Sequence, residues 1–227
     1  MKVKIKRQAS RDTQPYWQTF NFESGKRLTV AAILEQINYA DDPVDENQNP
    51  CKRIRWECSC MQKMCGGCAM VINKNPALAC AVFIDTAHTD LLTLEPLSKF
   101  PVICDLVVDR SIIHEYEKEA MMYLGTRAEP SDKYFPQQYS AAKCLKCGLC
   151  LEVCPNYVNA SPNFFGAFFA NDAFLLHSST ADRKTPIKQQ YRKHFESGCS
   201  KSLACRNICP MHMPTLSSIS YLNRSKG

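Results

Sequence analysis

The chain has 227 residues, 45% hydrophobic and 22% charged, with a formal net charge of +6 at pH 7. That length fits one large domain or two small ones, and no apolar run approaches the roughly 18 residues a membrane-spanning helix needs. The basic start, Met1-Lys2-Val3-Lys4-Ile5-Lys6-Arg7, lacks the apolar stretch of a secretory signal and the Ser/Arg-rich character of a transit peptide, which points to a bacterial or archaeal cytoplasm where thiols stay reduced.

Residues 2–6 alternate charged and apolar side chains, a half-exposed strand pattern. Trp17, Phe20 and Phe22 predict a second strand, closed by the Ser24-Gly25 turn signal. Val30, Ile33, Leu34 and Ile37 recur at helical spacing and predict a helix over Leu28–Ile37. Asp41 to Pro50 is polar and reads as a loop. A hairpin is expected over Ala69–Cys80, turning near Asn73–Asn75, with a short strand at Leu91–Leu94. After Pro101 the composition shifts. Leu106–Leu124 reads as a helix burying Val107, Ile112, Ile113, Tyr116, Met121 and Leu124. Gly125–Gln138 reads as a loop, and from Ala141 onward helices alternate with cysteine runs. A domain boundary near residue 105 follows.

Fourteen cysteines stand in this chain, and their spacing carries the chemistry. One run reads Cys144-Leu145-Lys146-Cys147-Gly148-Leu149-Cys150-Leu151-Glu152-Val153-Cys154-Pro155; a second reads Cys199-Ser200-Lys201-Ser202-Leu203-Ala204-Cys205-Arg206-Asn207-Ile208-Cys209-Pro210. Both follow the C-x2-C-x2-C-x3-C-P template of bacterial ferredoxins, whose fourth cysteine serves the other cluster; Ser202 replaces one cysteine of the second. Cys144, Cys147, Cys150 and Cys209 then form a [4Fe–4S] site. Cys154, Cys199 and Cys205 supply three thiolates, which favours [3Fe–4S], with Ser202 as an oxygen ligand of a fourth iron the alternative. Proline after each crossing cysteine ends the run. Cys60-x4-Cys65-x2-Cys68 matches plant-type [2Fe–2S] spacing, with Cys80 at the end of the hairpin as fourth ligand. Cys58 competes for the first position but spaces less well. Gly66 and Gly67 would let backbone N–H groups approach the anionic cluster.

Cys51, Cys58 and Cys104 remain as ordinary thiols. Disulfides fit neither the spacing nor a reducing compartment. A zinc site with four cysteines is the rival for Cys60–Cys80, although structural zinc sites usually use paired C-x2-C arms. Three clusters of about −2 each, thiolates included, would bring the net charge to about zero, so the basic balance is no nucleic-acid signal. Phe164, Phe165, Phe168 and Phe169 follow the helix-start signal Ser161-Pro162; they read as core around the clusters, or alternatively as contact with a membrane partner or an apolar electron acceptor. The five histidines show no ligand spacing and are taken as structural or exposed. No phosphate loop, nucleophile motif or carboxylate pair suggests a substrate site. The fold class expected is α+β: a β-grasp plant-type ferredoxin domain over 1–105, then an all-helical bacterial (7Fe) ferredoxin-like domain over 106–227.

A [2Fe–2S] module followed by a doubled run lacking one cysteine resembles the iron–sulfur subunit of succinate dehydrogenase and fumarate reductase. The likeness includes Arg55-Trp56, Cys65-Gly66-Gly67-Cys68-Ala69-Met70, Leu94-Glu95-Pro96-Leu97, Asp105 to Arg110, and Ser218 to Arg224. Glu57-Cys58-Ser59-Cys60 and the Leu222-Asn223-Arg224 ending look most like the menaquinone branch with a single haem-bearing anchor. The resemblance implies a relay. Electrons from succinate, oxidised at covalent FAD in a flavoprotein subunit, pass through [2Fe–2S], [4Fe–4S] and [3Fe–4S] to quinone, taken as menaquinone, at a membrane anchor carrying haem b. It implies a peripheral position on the cytoplasmic face of the bacterial inner membrane. Many members carry arginine where this chain has Met61. Ubiquinone-linked members place tryptophans and a histidine where this chain has Asn156-Tyr157-Val158-Asn159 and Ser200, leaving Tyr157 and Ser200 as positional candidates only. An iron–sulfur relay of a heterodisulfide-reductase-like or other flavoprotein complex is the alternative.

Overall fold

The computed structural model describes residues 1–40, 42–129 and 131–225. Asp41 and Pro130, which fall in the two expected loops, lie outside them. Contacts divide the chain into two compact units, Met1–Asp109 and Arg110–Gly227.

The first unit runs β1 (Lys2–Arg7), β2 (Tyr16–Asn21), β3 (Arg27–Thr29), α1 (Val30–Asn38), β4 (Ala69–Ile72), β5 (Asn75–Leu78), β6 (Phe83–Asp85), β7 (Leu91–Glu95), β8 (Val102–Cys104) and β9 (Val107–Val108). A five-stranded sheet has the order β2-β1-β7-β4-β5. β1 pairs parallel with β7 and antiparallel with β2. The alternation in β1 sends Val3 and Ile5 inward, both fully buried with Leu92 and Leu94 of β7. Val30, Ile33 and Leu34 of α1 are buried at helical spacing, each such side chain contributing about 1.5–3 kcal/mol. α1 starts two residues later than expected because Thr29 is its cap: the Thr29 hydroxyl accepts from Ala32 N at 3.1 Å, satisfying an otherwise unpaired donor. The β4–β5 hairpin turns at Asn73 and Lys74, both with positive φ (47° and 67°), the backbone twist that a two-residue hairpin favours.

The helix expected over Leu106–Leu124 is much shorter. Asp105 (φ 45°) turns the chain, so Val102–Cys104 pairs with Val107–Val108 and the helix covers only Ile112–Glu119 (α2). Met121 takes a positive φ of 48°, and Met121 and Leu124 are 53% and 38% exposed. Apolar spacing there carried no information about the turns at either end.

The second unit continues with α3 (Phe135–Ala141), α4 (Leu149–Glu152), α5 (Ala167–Ser179), α6 (Lys184–Tyr191), a π-helical turn (Arg192–Glu196), α7 (Ala204–Ile208) and α8 (Thr215–Arg224). α3 occupies part of the expected 125–138 loop, with Pro136 in its first turn, where proline's missing N–H costs nothing. α5 is buried on all sides except near its C-terminal end, as a central helix must be; α6 and α8 pack on it. The Asn171 amide donates to Thr215 Oγ1 (3.0 Å) and accepts from the Ser218 hydroxyl (3.1 Å), so the buried polar groups of α5 and α8 satisfy each other.

Phe164, Phe165, Phe168 and Phe169 are all buried, none more than 5% exposed. They are core, and the partner-contact alternative fails. Phe164 and Phe165 precede α5, because Gly166 (φ 86°, ψ −178°) delays its start. The Phe165 ring stacks between Tyr116 (centroids 3.9 Å apart) and His194 (4.0 Å). His177 and His194 are buried, and His88, His114 and His212 are exposed.

Candidate metal centres

In the first unit the cysteine loop is held before its ligands begin. Buried Asn38 at the end of α1 donates to Ile54 O (2.8 Å) and accepts from Ile54 N (2.7 Å). Asp105 accepts from Arg55 N at 2.9 Å. Beyond Cys60 the backbone turns repeatedly: Met61, Lys63 and Gly66 have φ of 55°, 61° and 74°. These turns aim N–H groups at sulfur. Gln62 N and Met64 N donate to Cys60 Sγ at 3.3 and 3.2 Å, Lys63 N to Cys80 Sγ at 3.3 Å, and Gly67 N to Cys65 Sγ at 3.4 Å. Such a nest of amides stabilises negative charge. The backbone donors draw the Cys60 thiol down to about 7.

Cys68 and Cys80 place their sulfurs 3.4 Å apart, close to the separation of about 3.8 Å set by two thiolates bonded at about 2.3 Å to one tetrahedral metal. Burial pushes Cys68 up to about 12; a cationic metal reverses that preference when it replaces the proton. Cys58 behaves differently. Its sulfur lies 2.9 Å from Met61 Sδ, and burial, then Glu35, push its thiol up. The lowered thiol is thus at Cys60, as a thiolate ligand requires. Gly66 takes a positive φ of 74°, and a Cβ at Gly67 would stand 3.6 Å from Cys65 Sγ and from Glu57 Cβ.

Cys51, Cys58 and Cys104 all line one open cavity of about 1260 Å³ in this unit. Burial pushes Cys51 up as well.

In the second unit the two cysteine runs share a backbone pattern. Lys146 and Lys201 stand at equivalent positions with φ of 52° and 58°, and Gly148 and Leu203 with 84° and 63°. α4 and α7 follow at once, carrying Cys150 and Cys205, and these helices pack on each other. Leu203 therefore holds a left-handed conformation that an L side chain adopts at a cost of about 1–2 kcal/mol, where the first run uses glycine.

Cys144, Cys147, Cys150, Cys205 and Cys209 line one cavity with Ile113, Leu149, Phe168 and Met213. Burial pushes Cys144 up to about 11 and Cys150 well up, and the neighbouring thiols Cys147, Cys144, Cys209 and Cys205 add to the shift at Cys150. Cys205 is raised by burial and then by Cys154 and Cys199. The crossing cysteine of each run thus lies among the thiols of the other. Ser202 is exposed in the loop before α7, Ser200 is exposed, and Tyr157 is buried. Among the described residues, no three His, Cys, Asp or Glu side chains converge as donors for a single ion.

Residues 2–115 match the family model for a 2Fe-2S iron-sulfur cluster binding domain, and residues 140–213 that for a 4Fe-4S dicluster domain. The succinate dehydrogenase iron-sulfur subunit of Bacillus subtilis is 30% identical over 231 residues, covering 97% of this chain and 90% of the relative. The chain belongs to the family of succinate dehydrogenase and fumarate reductase iron–sulfur subunits. The fumarate reductase iron-sulfur subunit of Wolinella succinogenes is 27% identical over 228 residues, covering 93% of this chain and 90% of that one. The fold is shared with a chain of the Mycobacterium smegmatis Sdh1 complex in the apo form, with a TM-score of 0.72 and 21% identity over 97% of this chain and 94% of that chain. Members of the family are electron-transfer subunits of an oxidoreductase complex that also has flavoprotein and membrane anchor subunits. No helix among the described residues is long and apolar enough to cross a membrane.

The backbone donors Gln62, Lys63 and Met64 escaped the sequence reading, since N–H direction depends on φ and only Gly66 and Gly67 signalled it. Arg110, quoted only as part of a resemblance, donates to Cys147 O at 3.3 Å.

Proposed function

We propose that this chain relays single electrons from a flavoprotein subunit, where succinate and fumarate interconvert at FAD, to a quinone at a membrane anchor. Residues 1–105 form a β-grasp plant-type ferredoxin domain and 106–227 a helical 7Fe ferredoxin-like domain. Cys60, Cys65, Cys68 and Cys80 hold [2Fe–2S]; Cys144, Cys147, Cys150 and Cys209 hold [4Fe–4S]; Cys154, Cys199 and Cys205 hold [3Fe–4S]. The bound clusters supply one-electron carriers whose potentials respond to charge, hydrogen bonds to sulfur and burial.

The rest is the protein's own contribution. Amides of residues 62–64 stabilise thiolate charge around the first site. The crossed runs tie α4 to α7. The apolar lining of Ile113, Leu149, Phe168 and Met213 keeps water from the second site. The chain makes and breaks no substrate bonds. Its anchor is the haem b type, its quinone menaquinone, and its place the cytoplasmic face of the inner membrane, peripherally bound.

The observation that carries this reading is the grouping of the thiols. The Cys68–Cys80 sulfur pair suits a dinuclear site, and the crossed neighbourhoods of Cys150 and Cys205 suit two exchanged ligand runs. The test is Ser202→Cys. Restoring the fourth thiolate converts the three-iron site to [4Fe–4S], and the oxidised three-iron EPR signal disappears. An unchanged signal overturns the ligand assignment, and purified protein with zinc and no acid-labile sulfide overturns the relay itself.

A further inference from the structure

Lys146 stands between Cys144 and Cys147 with its side chain clamped. Its Nζ lies 2.6 Å from Glu117 Oε1 of α2 and is hydrogen-bonded to Asp172 Oδ2 of α5. It sits 5.0 Å over the Phe168 ring. All three charged side chains are largely buried, 22% exposed for Lys146, 26% for Glu117 and 12% for Asp172. Lys201 has the same place and backbone in the second run but is exposed, with no ion pair to it among the described residues. A positive φ alone therefore does not call for the clamp.

We propose that Glu117, Asp172 and Lys146 form a fixed charge group that sets the reduction potential of the site built by Cys144, Cys147, Cys150 and Cys209, each carboxylate lowering it and the ammonium raising it; this rests on the ligand assignment above. The two carboxylates and the ammonium act on the ligand run in opposite directions, and at Cys144 Lys146 outweighs Asp172. Reduction adds a further negative charge to the site, and in a buried setting a nearby negative group opposes it. Lys146 keeps the two carboxylates from repelling each other and fixes their position. Two other groups face the clamp or the run: exposed His114, with Nδ1 3.0 Å from Glu117 Oε2, and Arg110, which donates to Cys147 O at 3.3 Å. Neither changes in the variants below.

The experiment is an EPR-monitored redox titration of the full chain with its clusters, at about pH 8.5, where histidine is neutral and Asp172, which burial pushes up to about 7, is still ionised. Iron and sulfide are measured on the same samples. Glu117→Gln and Asp172→Asn each raise the midpoint of the four-iron signal, Lys146→Gln lowers it, and Lys146→Arg leaves it in place. Loosened packing would move all variants one way, so opposite signs separate the electrostatic role from a structural one. Should one carboxylate variant lose its cluster, the other decides. Unshifted midpoints in the carboxylate variants, or a Lys146→Gln shift of the same sign as theirs, overturn the inference. A normal protein without any four-iron signal overturns the ligand assignment instead.

Discussion

Replacing Asp105 by asparagine removes the group that ties the cysteine loop to the sheet. The Asp105 carboxylate is 6% exposed; it lies 3.0 Å from Arg7 Nε, an ion pair whose N–H does not point along the contact. It accepts from Gln8 N at 3.0 Å and Arg55 N at 2.9 Å. Arg7, 4% exposed at its side chain, also donates to Gln18 Oε1 (2.6 Å) and to the carbonyls of Lys52 and Arg53 (3.1 and 3.2 Å). Asparagine preserves the shape but offers an NH₂ where an acceptor is needed, and leaves the guanidinium without its counter-charge. Breaking a buried pair from one side costs about 3–5 kcal/mol, against a total stability of about 5–15 kcal/mol for a domain. Both tryptophans, Trp17 and Trp56, lie in the first unit, so fluorescence excited selectively at tryptophan reports on that unit. With a urea dependence of about 1–2 kcal/mol per molar, the midpoint for Asp105→Asn falls by about 1.5 M or more. Adding Arg7→Met to this variant costs less than Arg7→Met costs alone, since the unpaired charge is then gone. A loss below about 1 kcal/mol for Asp105→Asn would refute the reasoning.

Gly166→Ala should destabilise the second unit by about 2–6 kcal/mol, adding backbone strain of about 1–3 to overpacking of about 1–3. Its Cβ would come 2.1 Å from Leu151 Cδ2 at a φ of 86°, and helix loss by circular dichroism measures the effect. Cys209→Ala should remove the four-iron centre and spare the other two, lowering iron from about nine to about five per chain; loss of the three-iron signal alone would contradict the crossed arrangement. The Asp182 carboxyl is held down to about 2 by hydrogen bonds from the Thr126 hydroxyl and amide and from Thr180. A depressed carboxyl contributes fully above its unfolded value near 4 and less as pH falls through the folded one. Amide protection at Thr126 should therefore drop between about pH 4 and pH 2, and Asp182→Asn should reproduce that drop at neutral pH.

The strand alternation of β1, the helical spacing of α1 and the β4–β5 hairpin were all legible locally, because each follows from a period or a turn two residues long. Leu106–Leu124 was misread because Asp105 takes a left-handed turn for the sake of a carboxylate bonded to Gln8 and Arg55, residues 97 and 50 positions away. The Phe164–Phe169 stretch was ambiguous for the same reason. Apolar spacing says that a face is buried, and only the stacking of Phe165 between Tyr116 and His194 says against what.

Cysteine spacing by itself determined the candidate ligands, the odd serine and the kinship, since a cluster's size limits how far apart consecutive thiolates stand along the chain. The tertiary structure alone decided which N–H groups face Cys60, that Cys58 turns to Met61, and that Lys146 meets Glu117 and Asp172. These depend on φ values at single residues and on contacts between distant helices, where many sequences are compatible with any one local pattern and packing selects among them.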